Sequence, residues 1–359
     1  MIKHYLGTLV LLLGISFTAF AGPFDPWNYA TPITISNSNA EALTDHQVLM
    51  TIDTASLVGA GKLNADGSDL RFLSDDFSTV LPYWVESGMN TAATAVWVRV
   101  PNVPAAGSVD IQMVYGNAAG AAASDASATF DLFEDFGVDL GEFSAECGTP
   151  ANTVSGGVAS LSWSSSGLYS ASTTFPQSDT YIVEADVESI NGNWPGIYWG
   201  TDGLVRYGLL ADPADIRISV KGGGADPCSG HNWASSLEAH SGAVGVWSLA
   251  WPDTGDLRAQ APAPVGALTS ADTLYARDAD LSLYIGGISS GTGGIDVDWI
   301  RVRKFADNDA TSAAGAEVNL LQGGSGGPRA MPKPVPVLPA GGLLVLIALL
   351  GLVARRRLG

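Results

Sequence analysis

Basic residues are scarce in this sequence. Lys and Arg together number 17, whereas Asp and Glu number 36, and the net charge at pH 7 is -19. A surface with this excess of negative charge repels nucleic acid and anionic membrane surfaces. We therefore exclude nucleic acid as a partner and expect a well-solvated acidic surface.

Cysteine is nearly absent as well, since Cys147 and Cys228 are the only two. No C-x-x-C, H-E-x-x-H or EF-hand spacing occurs, which argues against thiol redox catalysis and the common zinc and calcium motifs. In an oxidising compartment the two cysteines are expected to form a disulfide, which would contribute ~4 kcal/mol in the chain-entropy model. Two free thiols are the alternative.

Long helical periodicity is missing away from the two ends of the chain. Short runs of alternating apolar and polar residues recur instead, such as Val96–Val100 and Ile295–Val302, bounded by turn residues. The pattern predicts an all-β protein with two β-sandwich domains, over residues 22–136 and 137–306. Residues 307–336 become polar and then rich in Gly and Pro, which predicts a stalk.

The amino-terminal end has the layout of a secretory signal peptide. A basic start is followed by an apolar run from Leu6 to Phe20 and by the A-x-A signal Ala19–Ala21. We expect residues 1–21 to be a signal peptide that is cleaved after Ala21. An uncleaved anchor helix is the alternative, although the run is short for a membrane span.

The carboxyl-terminal end combines an apolar segment with a basic cluster. Val337–Ala354 carries no charge and is long enough to cross a hydrocarbon core as a helix. Arg355, Arg356 and Arg357 follow at once, and cationic residues stay on the cytoplasmic side. Residues 337–359 therefore predict a transmembrane helix with an Arg-rich tail, so that the body faces outward. A buried core helix is the alternative.

The layout of this tail resembles the tripartite sorting signals of Gram-negative bacteria. A short motif with prolines, Val335–Pro339, precedes the apolar helix and the Arg cluster, as in PEP-CTERM tails, which exosortases read. Pro-Glu-Pro itself is missing here. The resemblance implies an exosortase-like processing enzyme and transfer of the body to the outer envelope, whereas a simple membrane anchor is the alternative.

Seven short motifs in the first domain occur in a fixed order. The motifs are Pro32–Ser36, Leu43–Val48, Asp69–Phe72, Leu81–Glu86, Val96–Pro101, Tyr115–Asn117 and Phe130–Phe136. Together they resemble the bacterial domain-of-unknown-function family 2341 over about residues 27–136. That resemblance implies an exported surface protein and implies no catalytic residues.

The predicted closing strand of the second domain, Ile295–Lys304, contains the sequence D-W-I-R-V-R. It is similar to the D-W-x-x-V-R ending of the jelly rolls of concanavalin A-like and laminin-G-like lectins, which often follow that family. The resemblance implies a concanavalin A-like jelly roll over residues 137–306. We expect the pairing of Cys147 with Cys228 to hold it together.

Three acids on one predicted strand suggest a hydrolytic site. Glu184, Asp186 and Glu188 resemble the E-x-D-x-E motif of retaining glucanases of glycoside hydrolase family sixteen. That resemblance implies a nucleophile at Glu184, a tuning carboxylate at Asp186 and an acid/base at Glu188, since alternate strand residues share one face. The simpler alternative is the polar face of a half-exposed strand, and no catalytic residue is assigned.

Aromatic and amide side chains suggest a sugar-binding surface instead. Exposed rings stack on sugar faces, and neighbouring amides bond to hydroxyl groups. Trp194 and Trp233 follow Gly- and Asn-rich segments, where rings are more often exposed. The candidate glycan contacts are Trp194, Tyr198, Trp233, Asn193 and Asn232, with ordinary core packing as the alternative for each ring.

A calcium site is a further candidate, because calcium is common in lectin-like jelly rolls. Asp296 and Asp298 share a strand face, and oxygen ligands of this kind suit calcium. Solvated acids are the alternative.

Together these features predict an exported, envelope-anchored surface protein that recognises a polysaccharide or another surface component without catalysis. A jelly-roll glycoside hydrolase using Glu184 and Glu188 is the first alternative. A purely structural surface or adhesion protein is the second.

Overall fold

The computed structural model describes residues 27–320, apart from 149, 193, 202–203, 212–214, 222–230, 240–243, 253–255, 263–265, 272–278 and 289–290. Two short helices accompany many antiparallel strands, which confirms the all-β expectation. In this part of the chain no helix is long and apolar enough to cross a membrane. The predicted signal peptide with Ala21 and the predicted tail with Arg355, Arg356 and Arg357 lie outside the described residues.

The elements follow one another along the chain in three groups. The first group is β1 (Tyr29–Ser36), β2 (Leu43–Ile52), α1 (Thr54–Gly59), β3 (Arg71–Ser74), β4 (Val80–Leu81), β5 (Tyr83–Ser87), β6 (Thr94–Val103), β7 (Ser108–Tyr115) and α2 (Ala126–Thr129). The second is β8 (Leu132–Glu134), β9 (Phe143–Gly148), β10 (Ala151–Ser155), β11 (Val158–Trp163), β12 (Gly167–Phe175), β13 (Tyr181–Gly192), β14 (Pro195–Thr201), β15 (Leu204–Ala211), β16 (Asp215–Lys221), β17 (His231–Ala239), β18 (Gly245–Ala250), β19 (Asp256–Ala261), β20 (Gly266–Ala271), β21 (Leu281–Gly287) and β22 (Gly293–Lys304). The third is β23 (Thr311–Ala314) and β24 (Val318–Asn319).

The first sandwich packs two sheets against each other. One sheet has the order β23-β1-β7-β3-β4, with β24 also on β1, and the other has the order β2-β6-β5. Val96, Val98 and Val100 alternate along β6 and are buried in the core between the sheets. The side chains between them, Trp97 and Arg99, therefore lie on the outer face of the three-stranded sheet.

The second sandwich is larger than the first. One sheet has the order β10-β11-β22-β13-β18-β19-β20, with β8 also on β22, and the other has the order β17-β16-β15-β14-β21-β12-β9. Val183, Ala185 and Val187 of β13 are fully buried between the sheets, together with Trp199 and Trp247. The apolar alternation of β13 thus sets its inward face and leaves Glu184 on the outward one.

Two domain boundaries in the structure differ from those predicted from the sequence. The sequence places residues 132–134 in the first domain, but β8 pairs with β22, with Leu132 opposite Val302. The sequence predicts a stalk over residues 307–336, but β23 and β24 pair with β1. Ala310 is buried in the first core, and Tyr115 donates from its hydroxyl to Glu317. The stalk prediction is therefore wrong up to residue 320, because backbone pairing with β1 outweighs the polar composition.

The second sandwich is consequently inserted into the first. The chain leaves the first sandwich after α2, builds β8 to β22, and returns to pair with β1. The outer face of the three-stranded sheet then packs on β22, where the Arg301 and Arg303 guanidinium groups lie over the Trp97 ring. Gln47 adds a bond by accepting from the backbone N–H of Lys304 at 2.9 Å. The junction between the sandwiches therefore combines polar and aromatic contacts.

Candidate functional site

Two arginine side chains bind the Glu184 carboxylate. The carboxylate is on the outward face of β13 and is only 8% exposed. Arg301 Nε donates to Oε2 at 2.6 Å, and Arg303 donates to Oε1 from Nε at 3.2 Å and from Nη2 at 3.0 Å. Both arginines come from β22, whose Arg301 is directly opposite Glu184 in the strand register. Both carboxylate oxygens are therefore occupied by guanidinium groups.

This environment fixes the ionisation state of Glu184. Burial acts to raise the pKa of the carboxyl, but the charges and hydrogen bonds of Arg303 and Arg301 outweigh it, so the pKa lies below its usual value. A nucleophile in a retaining glycosidase has to face the sugar, with its partner carboxyl about 5–5.5 Å away. The nucleophilic role implied by the E-x-D-x-E resemblance does not fit a carboxylate that is held in this way.

The ion pairs continue across the junction into the first sandwich. Arg301 Nη1 lies 2.6 Å from Glu86 Oε1, and Arg303 Nη1 lies 3.0 Å from Asp309 Oδ1. The Arg301 guanidinium carbon lies 4.6 Å from the ring centroids of Trp97 and of Trp299. Cation–π contacts of this kind add to the ion pairs where water is excluded. Glu184 is thus the centre of a network that joins the two sandwiches.

The other two acids of the motif lie apart from this network. Asp186, Glu188 and Asp298 place carboxylate oxygens within 4.8 Å of one another. Burial, and then the charges of Glu188 and Asp298, raise the pKa of Asp186. Hard cations such as calcium take oxygen ligands, so this cluster is compatible with a cation. Of the two residues predicted to bind calcium, Asp298 belongs to the cluster, whereas Asp296 accepts a hydrogen bond from Ser189 Oγ at 2.5 Å.

Tyr198 is a candidate glycan contact from the sequence, and that prediction is wrong. Its side chain is completely buried on the outer face of the seven-stranded sheet, where it packs with Leu168, Leu210 and Tyr284. Its hydroxyl donates to the carbonyl oxygen of Trp194 at 3.1 Å, and burial raises its pKa. The alternating pattern of β14 places Tyr198 on the outward face of the sheet. Other side chains cover that face, so the ring is as buried as a core residue.

The remaining aromatic and amide candidates fall in different places. Trp194 is half-buried at a positive φ of 53°, and its ring lies 4.7 Å from the guanidinium carbon of Arg217. Asn232 and Trp233 belong to β17, opposite Val220 and Ser219, and not to a loop. Asn193 lies outside the described residues.

The cysteine prediction is covered only in part. Cys147 lies on β9 and is disulfide-bonded, and no cysteine in the described part of the chain is free. Cys228 lies outside the described residues, so its pairing with Cys147 stays a prediction.

An open cleft extends from Glu184 along the outer face of the eight-stranded sheet. Its floor is a cross-strand row in which Glu184 faces Ser248, Ser248 faces Gln260, and Gln260 faces Ala267. The connector Phe305–Asp309 forms one wall, and the cavity volume is about 580 Å³. A neighbouring cavity of about 610 Å³ shares residues 305–308 as part of its lining and is also lined by residues 38–44 of the first sandwich. We call the first cavity the sheet cleft.

The sheet cleft carries polar groups that could bond to a polar ligand. Arg258 Nη2 lies 3.9 Å from Asp307 Oδ1 across the cleft, and both side chains are exposed enough to exchange partners. Gln260 is exposed, whereas Leu257 and Ala259 beside it are buried. Sequence reasoning missed Ser248, Arg258 and Gln260. The alternation of apolar and polar residues in β19 was the signal that could have found the last two.

One family model matches part of the chain. It is described as Domain of unknown function (DUF2341), and it matches residues 66–142. This confirms the family resemblance for the later motifs of the first domain, whereas the motifs at Pro32–Ser36 and Leu43–Val48 precede the match. A search of curated proteins found no significant match to this sequence.

Solved structures with similar chains are distant in sequence. One comes from work on endo-acting O-glycanases of the human gut microbiota that initiate mucin breakdown (11% identity, 49% of this chain and 100% of that chain, TM-score 0.37). Another is a legume lectin-like domain from Entamoeba histolytica (9%, 49% and 97%, TM-score 0.35). A third is the potassium-bound carbohydrate recognition domain of Emp46p (10%, 47% and 94%, TM-score 0.34).

Proposed function

We propose that this protein is an exported surface protein whose second sandwich binds a glycan without cleaving it. The observation that carries the proposal is the sheet cleft. Ser248, Arg258 and Gln260 line an open, polar floor, while Glu184 at its inner end is already neutralised by two arginines. Such a cleft offers hydrogen bonds to hydroxyl groups, and Glu184 is not free to act as a nucleophile in it.

The chemistry of the cleft suits a sugar chain. Gln260 offers both a donor and an acceptor, Ser248 offers a hydroxyl, and Arg258 offers donors in a planar fork. Sugar hydroxyl groups both donate and accept, so they match such a mixed set. Phe305 in the wall adds an apolar surface of the kind that the less polar face of a sugar ring can cover. The Asp186, Glu188 and Asp298 cluster would hold calcium in this proposal.

Export and anchoring belong to the proposal through the ends of the sequence. The signal peptide at residues 1–21 and the apolar, Arg-terminated tail at residues 337–359 support delivery to the envelope. The likeness of the tail to sorting signals supports an exosortase-like processing enzyme.

A purely structural surface protein is the second candidate. It is favoured by the outer face of the seven-stranded sheet, where Leu168, Tyr198, Leu210 and Tyr284 are buried and offer no binding surface. In that case the ion-pair network would serve only to join two sandwiches into one rigid body.

An array of bacterial and algal polysaccharides tests these proposals with the full-length chain, with and without calcium, alongside a reducing-sugar assay. The cleft variants are Arg258→Ala and Gln260→Ala, and the matched control is Thr153→Ala, an exposed residue on β10 at the far edge of the same sheet. Binding without sugar release that only the cleft variants lose supports glycan recognition. Sugar release that Glu184→Gln abolishes would replace it with hydrolysis. Absence of both signals would leave the structural role.

A further inference from the structure

Arg258 is a basic group in the floor of the sheet cleft, and the fold leaves its side chain almost without partners. It lies on β19 between Leu257 and Ala259, which are buried, so the Arg258 side chain projects outward and is 42% exposed. Among the residues that the structure describes, none is hydrogen-bonded to this guanidinium, and its one ionic partner is Asp307, at 3.9 Å. The donors of Arg258 are therefore available to a ligand.

The other carboxylates in the described lining of the cleft already have close partners. Arg303 donates to Glu184 from Nη2 at 3.0 Å and to Asp309 from Nη1 at 3.0 Å. Asp307 differs from both, because it lies on the connector Phe305–Asp309 and its side chain is 71% exposed. Asp307 is thus the carboxylate that a ligand would have to displace from Arg258.

The ion pair between Arg258 and Asp307 is weak enough to be replaced. Its separation of 3.9 Å is too long for a hydrogen bond, and exposed ion pairs contribute only ~0–1 kcal/mol. A carboxylate on a ligand can instead accept two parallel N–H bonds from the planar guanidinium fork. Exchange of the long pair for a bidentate one therefore favours a ligand that carries a carboxylate.

We propose that the sheet cleft takes a polyuronate, a polysaccharide whose sugar units carry carboxylate groups, and that Arg258 binds one such carboxylate. The inference rests on the glycan binding proposed above and names the class of glycan. Arg258 and Gln260 are alternate residues on one face of β19, about 7 Å apart, and Ser248 is directly opposite Gln260. A sugar unit with its carboxylate on Arg258 would bring hydroxyl groups to Gln260 and Ser248.

The negative net charge of the chain does not oppose this choice. At physiological ionic strength, exposed charges more than about 8 Å apart are largely screened, so the groups beside Arg258 decide which ligand is favoured. A neutral sugar would bond to Gln260 and Ser248 as well, but it would bring no charge to replace that of Asp307. A uronate brings both the charge and the planar partner that the guanidinium fork requires.

Isothermal titration of the full-length chain with polygalacturonate and with alginate tests this proposal, each compared with its carboxyl-reduced, neutral form. We expect the acidic polymers to bind more tightly than the reduced ones. Arg258→Ala should weaken binding of the acidic polymers about tenfold, and Arg258→Lys, which keeps the charge but loses the fork, a few-fold. Asp307→Asn should strengthen it about two- to fivefold, because the competing carboxylate is gone.

The matched controls remove single charges from the first sandwich. Lys62→Gln is the control for Arg258→Ala, and Asp110→Asn, at an exposed acid on β7, is the control for Asp307→Asn. Neither control should change the affinity for the acidic polymers. Arg258 and Asp307 are exposed, so their variants should fold as the native sequence does.

Equal affinities for the acidic and reduced polymers would overturn the polyuronate assignment. So would equally tight binding of dextran sulfate, which would reduce the effect to general attraction of anions, or unchanged binding in Arg258→Ala. If a neutral glycan of the array binds and none of these four polymers does, glycan recognition stands and the polyuronate assignment falls. If no glycan binds at all, glycan recognition itself falls.

Discussion

Arg301 Nη1 lies 2.6 Å from Glu86 Oε1, and this ion pair crosses from the second sandwich to the first. The same guanidinium holds Glu184 through Nε. Ion pairs with little exposure have strict geometry, and a displaced partner leaves an uncompensated charge that costs several kcal/mol. The relative placement of the two sandwiches is therefore set by directional polar contacts as well as by apolar packing.

Removing the Glu184 carboxylate should destabilise the protein strongly. In Glu184→Ala, the Arg301 and Arg303 guanidinium groups lose their shared anion while they remain buried, and we expect a loss of about 3–5 kcal/mol in the free energy of unfolding. Urea denaturation followed by fluorescence measures the change.

The matched control for that experiment is Glu188→Gln. Glu188 is exposed, and removal of its charge relieves repulsion with Asp186, so the change should stay within about 0.5 kcal/mol or favour folding slightly. A loss in Glu184→Ala as small as in this control would contradict the structural role of the network.

The stability of the network should depend on pH. Glu184 and Asp309 have folded pKa values below their ordinary values of 4.5 and 3.8. Their contributions to stability are therefore complete above those ordinary values and are lost as the pH falls from them through the lower folded values, because the unfolded chain then binds more protons. Asp186, whose pKa is raised, acts in the opposite sense.

Urea titrations at a series of pH values from 7 to about 3 separate these effects. The difference in unfolding free energy between the native sequence and Glu184→Gln should shrink as the solution is acidified below the ordinary glutamate value of 4.5. A difference that stays constant over this range would show that the Glu184 charge does not contribute.

Gly287 should not tolerate a side chain. A Cβ at this position would lie 2.1 Å from Cζ2 of the buried Trp163, and the ring has no space to move. We expect Gly287→Ala to lower the free energy of unfolding by about 1–3 kcal/mol or more, as overpacked cores do. Gly59→Ala is the control, since a Cβ at residue 59 would meet no atom within 4 Å beyond its chain neighbours and the backbone of its own helix. Equal stability losses in the two variants would refute the packing argument.

The returning strands β23 and β24 should be required for the first sandwich. A chain ending at residue 309 loses the pairing with β1 and exposes that edge, so we expect a loss of more than about 3 kcal/mol and a tendency to aggregate. A chain ending at residue 320 keeps both strands and is the matched control. Thermal unfolding and light scattering compare them, and identical behaviour would show that residues 310–320 are dispensable.

The inward faces of the strands could be predicted from sequence because they follow a local rule. Val183, Ala185 and Val187 alternate with acids, and they are buried as that period requires. The partners of Glu184 could not be predicted in this way. Arg301 and Arg303 are more than a hundred residues away, and only the strand register places them opposite the carboxylate.

The wrong predictions for the stalk and for Tyr198 have the same cause, namely that a local sequence pattern does not contain distant partners. Residues 311–314 read Thr-Ser-Ala-Ala, which carries little strand signal, and they form a strand because β1 offers an unpaired edge. Tyr198 alternates correctly with Ile197 and Trp199, but its outward face is covered by other side chains. Local sequence patterns predict on which face of a strand a residue lies, whereas tertiary packing decides whether other side chains cover that face.

The two points at which the chain passes between the sandwiches are paired with each other. Leu132, just after the chain leaves the first sandwich, pairs with Val302, just before it returns. Neighbours paired in this way have Cα atoms about 5 Å apart. The two points at which the chain passes between the sandwiches are therefore close together. A different domain whose two ends are equally close could replace the second sandwich without changing the strand order of the first.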